Sequence, residues 1–222
     1  MLKRETLAFL HDLKENNNRT WFQENRHRYE SAKADAEQLA ADILAHLSIF
    51  DTSVAGLSPR ECMFRIYRDA RFSADKSPYK TNMGFWAAVG GKKSIAAGYY
   101  LHIEPAGNSF VAGGSYMPSS EVLSRIRQEI DYHPSDFEAI VCSPSFIAHF
   151  GKLSGRQLQR PPKGYAKDHP QIEWLKHCDF IVQQSLSDDT LLEPNIPAKL
   201  ADIFAAMKPL NDFLNRSIGL EC

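Results

Sequence analysis

The sequence predicts an α+β fold: an antiparallel or mixed sheet of at least four strands, packed with N-terminal and C-terminal helices. Three observations point to it. The N-terminal part carries apolar residues at helical spacing. The middle is a series of short strand-like segments separated by turn residues. The last third returns to helical spacing with one late strand-like run. The strand-like segments follow one another without alternating with helices, which disfavours a doubly wound parallel sheet. No repeat, low-complexity tract or long linker divides the chain, and 222 residues suit one buried core. The expectation is one domain over 1–222, with helices at about 3–49, central strands at about 62–117, and a helical part with one strand at about 119–217.

The elements follow in order. Leu7, Leu10 and Leu13 mark a first amphipathic helix over 3–15, stopped by Asn16-Asn17-Asn18. Thr20-Trp21-Phe22-Gln23 has the form of a capping box. One long helix is expected after it, over 19–47. Phe22, Asn25, Tyr29, Ala32, Ala36, Leu39, Ile43 and Leu47 share one face at spacings of three and four. Strands are expected at 63–68, 85–89, 97–104 and 110–116, so that the sheet includes residues near Ile66, Val89, Leu101 and Val111. Pro105-Ala106-Gly107-Asn108 is a hairpin signal. Pairing Glu104 with Ser109 puts Ile103 opposite Phe110 and Leu101 opposite Ala112 on a core face. Tyr100, His102 and Glu104 then share the other face, with Gly113 opposite Tyr100. Helices are expected from Ser119-Ser120-Glu121 to about 131 and from Pro134-Ser135-Asp136 to about 141. A last helix is expected over 198–216, kinked near Pro209. Between them come an ordered loop over 157–169 and a strand over 180–186.

Composition sets outer limits. Hydrophobic residues make up 43% and charged residues 24%, which is globular usage and excludes a disordered chain. The formal net charge is −1, so no overall field draws the molecule to nucleic acid or membrane. Yet six Lys/Arg stand against three Asp/Glu between Arg60 and Lys80, and five Lys/Arg against none between Lys152 and Lys167. Such concentration in a near-neutral chain points to positive charge focused on one site. No apolar run spans a bilayer, and the first residues lack the apolar core of a signal peptide. Cys62, Cys142, Cys178 and Cys222 form no CxxC pair, so reduced thiols in a cytoplasm are expected. Cys142, beside Ser143-Pro144-Ser145 and with His149 nearby in sequence, reads as a small buried thiol, with a nucleophile as the alternative.

The densest chemistry lies between Phe64 and Thr81. In a strand, Arg65 and Tyr67 point away from Phe64 and Ile66, and Arg68, Asp69 and Arg71 occupy the turn after it. Such a turn can converge guanidiniums on one point, with Asp69 holding an arginine through a bidentate pair. Lys76, Tyr79, Lys80 and Thr81 add ammonium groups and hydroxyls. Arginine forks match phosphate and carboxylate, so the expected ligand is a small anion. The competing reading is a structural ion network in which Glu61, Asp69 and Asp75 pair the arginines.

At this segment the chain resembles a widespread bacterial family of unknown function with relatives in longer fungal proteins. Arg65, Arg68, Asp69, Arg71, Phe72, Asp75, Lys76 and Tyr79 carry the resemblance, as an Arg-x-x-Arg-Asp-x-Arg-Phe motif. The strand Gly98-Tyr99-Tyr100-Leu101-His102-Ile103-Glu104-Pro105 and the loop Arg160-Pro161-Pro162-Lys163-Gly164-Tyr165, with Asp168-His169-Pro170, are similar too. The resemblance implies a shared fold and a shared site, and supplies no activity.

Away from the motif, Tyr100, His102 and Glu104 alternate on one strand. An imidazole titrates near neutral pH and a carboxylate can orient it, so His102 and Glu104 are the candidate acid–base pair. Lys163, Asp168 and His169 sit on a proline-fixed loop and are expected to pack near the arginine motif and complete the site. No spacing such as HExxH supports a metal, and no cofactor is indicated. Gly90-Gly91-Lys92-Lys93-Ser94 lacks Walker spacing and reads as a charged hairpin tip. The leading expectation is a site for a phosphate- or carboxylate-bearing ligand, in an enzyme or a binding protein. A nucleic-acid module using both basic segments, and an interaction protein with a structural arginine network, are the alternatives.

Overall fold

Helix formation follows the apolar spacing. In a computed structural model that describes residues 1–69, 71 and 73–220, α1 (Arg4–Glu15) buries Leu7, Phe9, Leu10 and Leu13, and ends at Asn16. Phe72 of the motif and Cys222 lie outside the described residues. The single long helix expected next is two, α2 (Arg19–Glu24) and α3 (Arg26–Phe50). The Asn25 amide donates to the Trp21 carbonyl at 2.9 Å, and this local bond competes with the helical ladder at the break. Nor does Thr20 cap. Asn18, in extended backbone two residues earlier, accepts from the Trp21 N–H at 3.0 Å, and Thr20 falls inside the first turn. Beyond the break, α3 buries Ala32, Ala36, Leu39, Ile43 and Leu47 on one face.

After α4 (Pro59–Cys62) come β1 (Met83–Ala87), β2 (Gly98–Ile103) and β3 (Ser109–Ser115). Then α5 (Ser120–Tyr132), α6 (Pro134–Val141), α7 (Pro144–Phe150) and α8 (Ile172–Leu175) lead to β4 (Phe180–Leu186). Two helices, α9 (Asp188–Leu191) and α10 (Ile196–Ser217), follow. The sheet is antiparallel throughout, in the order β1-β2-β3-β4. Two residues expected in strands are not in them. Ile66 lies in an arm that meets β1 only at Met63↔Phe85 and otherwise bonds to its own return, through Lys80 N–H to Ile66 O and Arg68 N–H to Pro78 O. Val89 lies in the turn after β1, where Gly91 N–H closes onto the Ala88 carbonyl.

The β2–β3 hairpin is one residue out of the expected register: Leu101 pairs with Val111 and His102 with Phe110. The loop is longer by Glu104. Ala106 and Gly107 both take positive φ, and Ser109 Oγ bridges the Glu104 N–H and C=O. A one-residue slip turns every partner side chain to the other face. Val111 therefore enters the core beside Leu101, while Phe110 joins Tyr100 and His102 outside.

α10 lies along the core face of β2 and β3, with α3 beside it and α1 on α3. Close approach is possible because β3 presents Gly113. A Cβ there would stand 2.6 Å from Met207 Sδ. Buried polar groups fix the docking: Asn215 Oδ1 accepts from Ala97 N–H at 2.8 Å, Asn211 donates to Gly98 O, and Tyr99 donates to Asp51 at 2.6 Å. α10 runs on through Pro209, whose missing N–H leaves only the carbonyl of exposed Ala205 to water. The buried apolar residues form one continuous cluster from Leu2 to Leu214. No helix among the described residues is long and apolar enough to cross a membrane.

Candidate functional site

The sheet face turned away from α10 is a groove of about 750 Å³. Its floor is Trp86 from β1, Tyr100 and His102 from β2, Phe110 and Ala112 from β3, and Ile181 and Gln183 from β4. Phe64, Lys80 and Lys92 form one rim; Met117 and Val122 form the other. Met117 holds a positive φ of 48°, fixed by its N–H donating to Asp179 Oδ1 at 2.9 Å. Glycine at position 84 leaves room for the first rim. A Cβ would stand 3.1 Å from both the Tyr100 hydroxyl and the Phe64 ring.

On this floor, alternate residues of β2 form a hydrogen-bonded series. Tyr100 OH lies 3.0 Å from His102 Nδ1, and His102 Nε2 lies 3.1 Å from Glu104 Oε2. Glu104 Oε1 accepts from Thr81 Oγ1 at 2.9 Å and has Lys14 Nζ at 3.8 Å. With Glu104 ionised, the Nε2 proton points at the carboxylate and Nδ1 accepts from the phenol. The His102 ring stacks on Phe110 at 4.7 Å, which fixes its plane. Burial first and the Glu104 charge second push the Tyr100 phenol above its ordinary pKa, so it stays a proton donor.

The arginines do not converge. Arg68 pairs with Asp75, whose carboxyl is held well below its usual range by Ser77 and Arg68. Arg71 forms a bidentate pair with Asp69, at 2.9 and 2.7 Å, on an exposed turn. Lys76 reaches the Arg71 carbonyl at 3.4 Å, and Arg65 is exposed. The reason is local: Asp69 and Asp75 flank the turn, within reach of the arginine nearest each. Tyr79 is 3% exposed and stacks on Phe22 at 3.9 Å, so its ring belongs to the core.

Of the groove's two lysines, Lys92 donates to the Met63 and Arg60 carbonyls, and Lys80 is the other. It lines the groove and two adjoining cavities, one with Arg68, Asp69, Asn82 and Tyr100, the other with Lys14, Arg68, Asp75 and Thr81. Its ammonium sits 5.3 Å from the Phe64 ring centroid, and among the described residues it makes no ion pair. Burial first and Arg65 second lower its pKa from the ordinary lysine value.

The loop carrying Lys163, Asp168 and His169 is elsewhere. His169 Nε2 bonds Asp131 of α5 at 2.9 Å, its Nδ1 accepts from Gln171 N–H, and Lys163 and Asp168 are exposed. This segment runs along the β4 edge, where Ser154 bridges Ile181, while the arginine arm runs along β1. Those edges are three strand spacings apart, roughly 14 Å. The two basic segments thus flank the sheet and do not meet at one point. Among the described residues no three His, Cys, Asp or Glu side chains gather as a metal-ligand set. Cys142 is exposed at the end of α6, and the buried thiol is Cys62, pushed up to about 11 by burial. Sequence reasoning missed Lys14, Asn82, Trp86 and Phe110. Only Phe110 had a usable signal, its alternation, and the register slip concealed it.

An antiparallel sheet with helices packed on its core face and an open, aromatic, histidine-bearing groove on the other defines a small α+β protein. The chain belongs to the conserved hypothetical protein family DUF2461, whose model matches residues 5–213. No curated protein and no solved structure matches it significantly.

Proposed function

We propose that the open sheet face binds a small phosphate- or carboxylate-bearing ligand beside Lys80 and handles a proton there through Tyr100, His102 and Glu104. The observation that carries this reading is a half-buried ammonium with no ion-pair partner among the described residues, lining the same cavities as a phenol backed by imidazole and carboxylate. A buried charge without a partner is costly, and a bound anion offsets that cost. The apolar floor of Trp86, Phe110 and Ile181 suits a ligand with a flat or aliphatic body. Arg68, already paired, serves as an edge of the anion pocket, and Arg71 and Lys163 have no part in it.

Thermal unfolding tests the reading. Phosphate, pyrophosphate, nucleotides and di- and tricarboxylates are screened at fixed ionic strength against chloride. A ligand at one hundred times its Kd adds about 2.7 kcal/mol. For a chain of this size that is about 5–11 °C in Tm. Lys80→Met is expected to abolish the shift and Lys93→Met to keep it. A panel with no shift beyond chloride, or a shift that survives Lys80→Met, removes the reading.

A further inference from the structure

We propose that Lys80 is a carbonyl-capturing amine, which forms an imine with an aldehyde or ketone that also carries an anionic group. This rests on the sheet face being the ligand site, and names the class of ligand that site takes.

Placement is the first ground. Lys80 lines three adjoining cavities, so its side chain is open to a ligand from each. The surroundings are the second. The carboxylates near it are each engaged: Asp69 by Arg71, Asp75 by Arg68, and Glu104 by His102 and Thr81. What remains around the amine is the face of Phe64 with Lys92 beyond it, the cation Arg65, and the imidazole of His102. An ammonium in apolar and cationic company releases its proton more readily than a surface lysine, and the free amine is the nucleophile.

A proton donor is the third ground. Tyr100 lines two of the three cavities, and its phenol is held protonated. The free Nζ attacks the carbonyl carbon; the C–N bond forms as the π pair moves to oxygen, which takes the Tyr100 proton. The phenolate recovers a proton from Nζ, giving a carbinolamine. Tyr100 protonates its hydroxyl, which leaves as water while the nitrogen lone pair closes the C=N bond, and the resulting iminium returns its N–H proton to the phenolate. Amine and carbonyl become imine and water, with no change in oxidation state. Lys14 and Arg68, which line one adjoining cavity with Lys80, are placed to meet the anionic group in exchange for Glu104 and Asp75.

The experiment uses the full chain with pyridoxal 5′-phosphate, pyridoxal, glyoxylate and pyruvate as probes. Borohydride traps any imine, and peptide mass mapping locates it. The expected result is an adduct on Lys80 at least tenfold faster than on exposed Lys93, faster with pyridoxal 5′-phosphate than with pyridoxal, and displaced by the best anion of the thermal panel. Tyr100→Phe is expected to slow capture by roughly one hundredfold, the ordinary size of one proton-transfer contribution. Lys80→Arg keeps the charge and is expected to lose the adduct. Labelling spread over lysines by exposure, or none at Lys80, overturns the imine. If anions still stabilise the protein through Lys80 in that case, the binding reading stands alone. If they do not, both fall.

Discussion

Lys80 owes its character to what its neighbours already hold. Phe64 offers it a ring face, Arg65 repels it, and every nearby carboxylate is bonded elsewhere. Because its folded pKa lies below the ordinary value of 10.5, the unfolded chain binds more protons between those two values. Stability must therefore rise as pH climbs through that window, and at neutral pH Lys80 carries a penalty. Lys80→Met keeps the stem and removes the charge. It is expected to raise stability at pH 7 by about 0.5–1 kcal/mol in urea unfolding and to flatten the alkaline rise. A less stable Lys80→Met at pH 7 contradicts this account. At this scale the sequence was half legible. The alternation of Tyr100, His102 and Glu104 marks one strand face whatever the register. The isolation of Lys80 was not visible, because it depends on which arginine reaches Asp69 and which reaches Asp75.

Among the elements, the long periodic segments were readable and the short hydrogen-bonded ones were not. α1, α5, α6 and α10 lie where apolar spacing and caps put them. The arm over 63–68 has the composition of a strand, yet its N–H and C=O groups find partners mainly in its own return over 78–80. The hairpin register turned on one loop residue, which apolar alternation alone cannot fix, since Phe110 and Val111 both suit a core. A sharper test of the packing lies at Gly113, where α10 comes closest to β3. Gly113→Ala brings a Cβ 2.6 Å from Met207 Sδ and 3.1 Å from Gly98 O. It is expected to cost about 1–3 kcal/mol, seen as a lower urea midpoint at unchanged slope. Met207→Ala removes the nearest clash, so the double variant should lose less than the sum of the two single losses. Strict additivity would place the close contact elsewhere.

Across the whole molecule, the groove depends on a tie at its far rim. Asp179, 1% exposed at the head of β4, accepts from Arg156 Nε at 2.7 Å and Nη2 at 2.8 Å, from Arg156 N–H, and from Met117 N–H. It thereby joins the basic loop beside β4 to the β3–α5 connection and holds Met117 in its left-handed conformation. Arg156 above all, helped by the two backbone donors, holds the Asp179 carboxyl at about 2, against an ordinary 3.8. The sign follows from proton uptake: the folded value is depressed, so the stabilisation is complete above about pH 4 and is lost as pH falls toward 2. Its size, taken from that difference, is about 2 kcal/mol. Asp179→Asn should cost about 2–3 kcal/mol at pH 7, because two backbone N–H groups and a guanidinium lose an ionic acceptor. The gap between wild type and variant should close as unfolding is followed down to pH 2. Because the tie sits on the groove rim and not on the Lys80 side, the variant should also weaken ligands with a long apolar body more than inorganic phosphate. A gap that stays constant with pH would show that Asp179 acts through shape and not through its charge. Equal weakening of both ligand types would mean that the rim does not grip the ligand body.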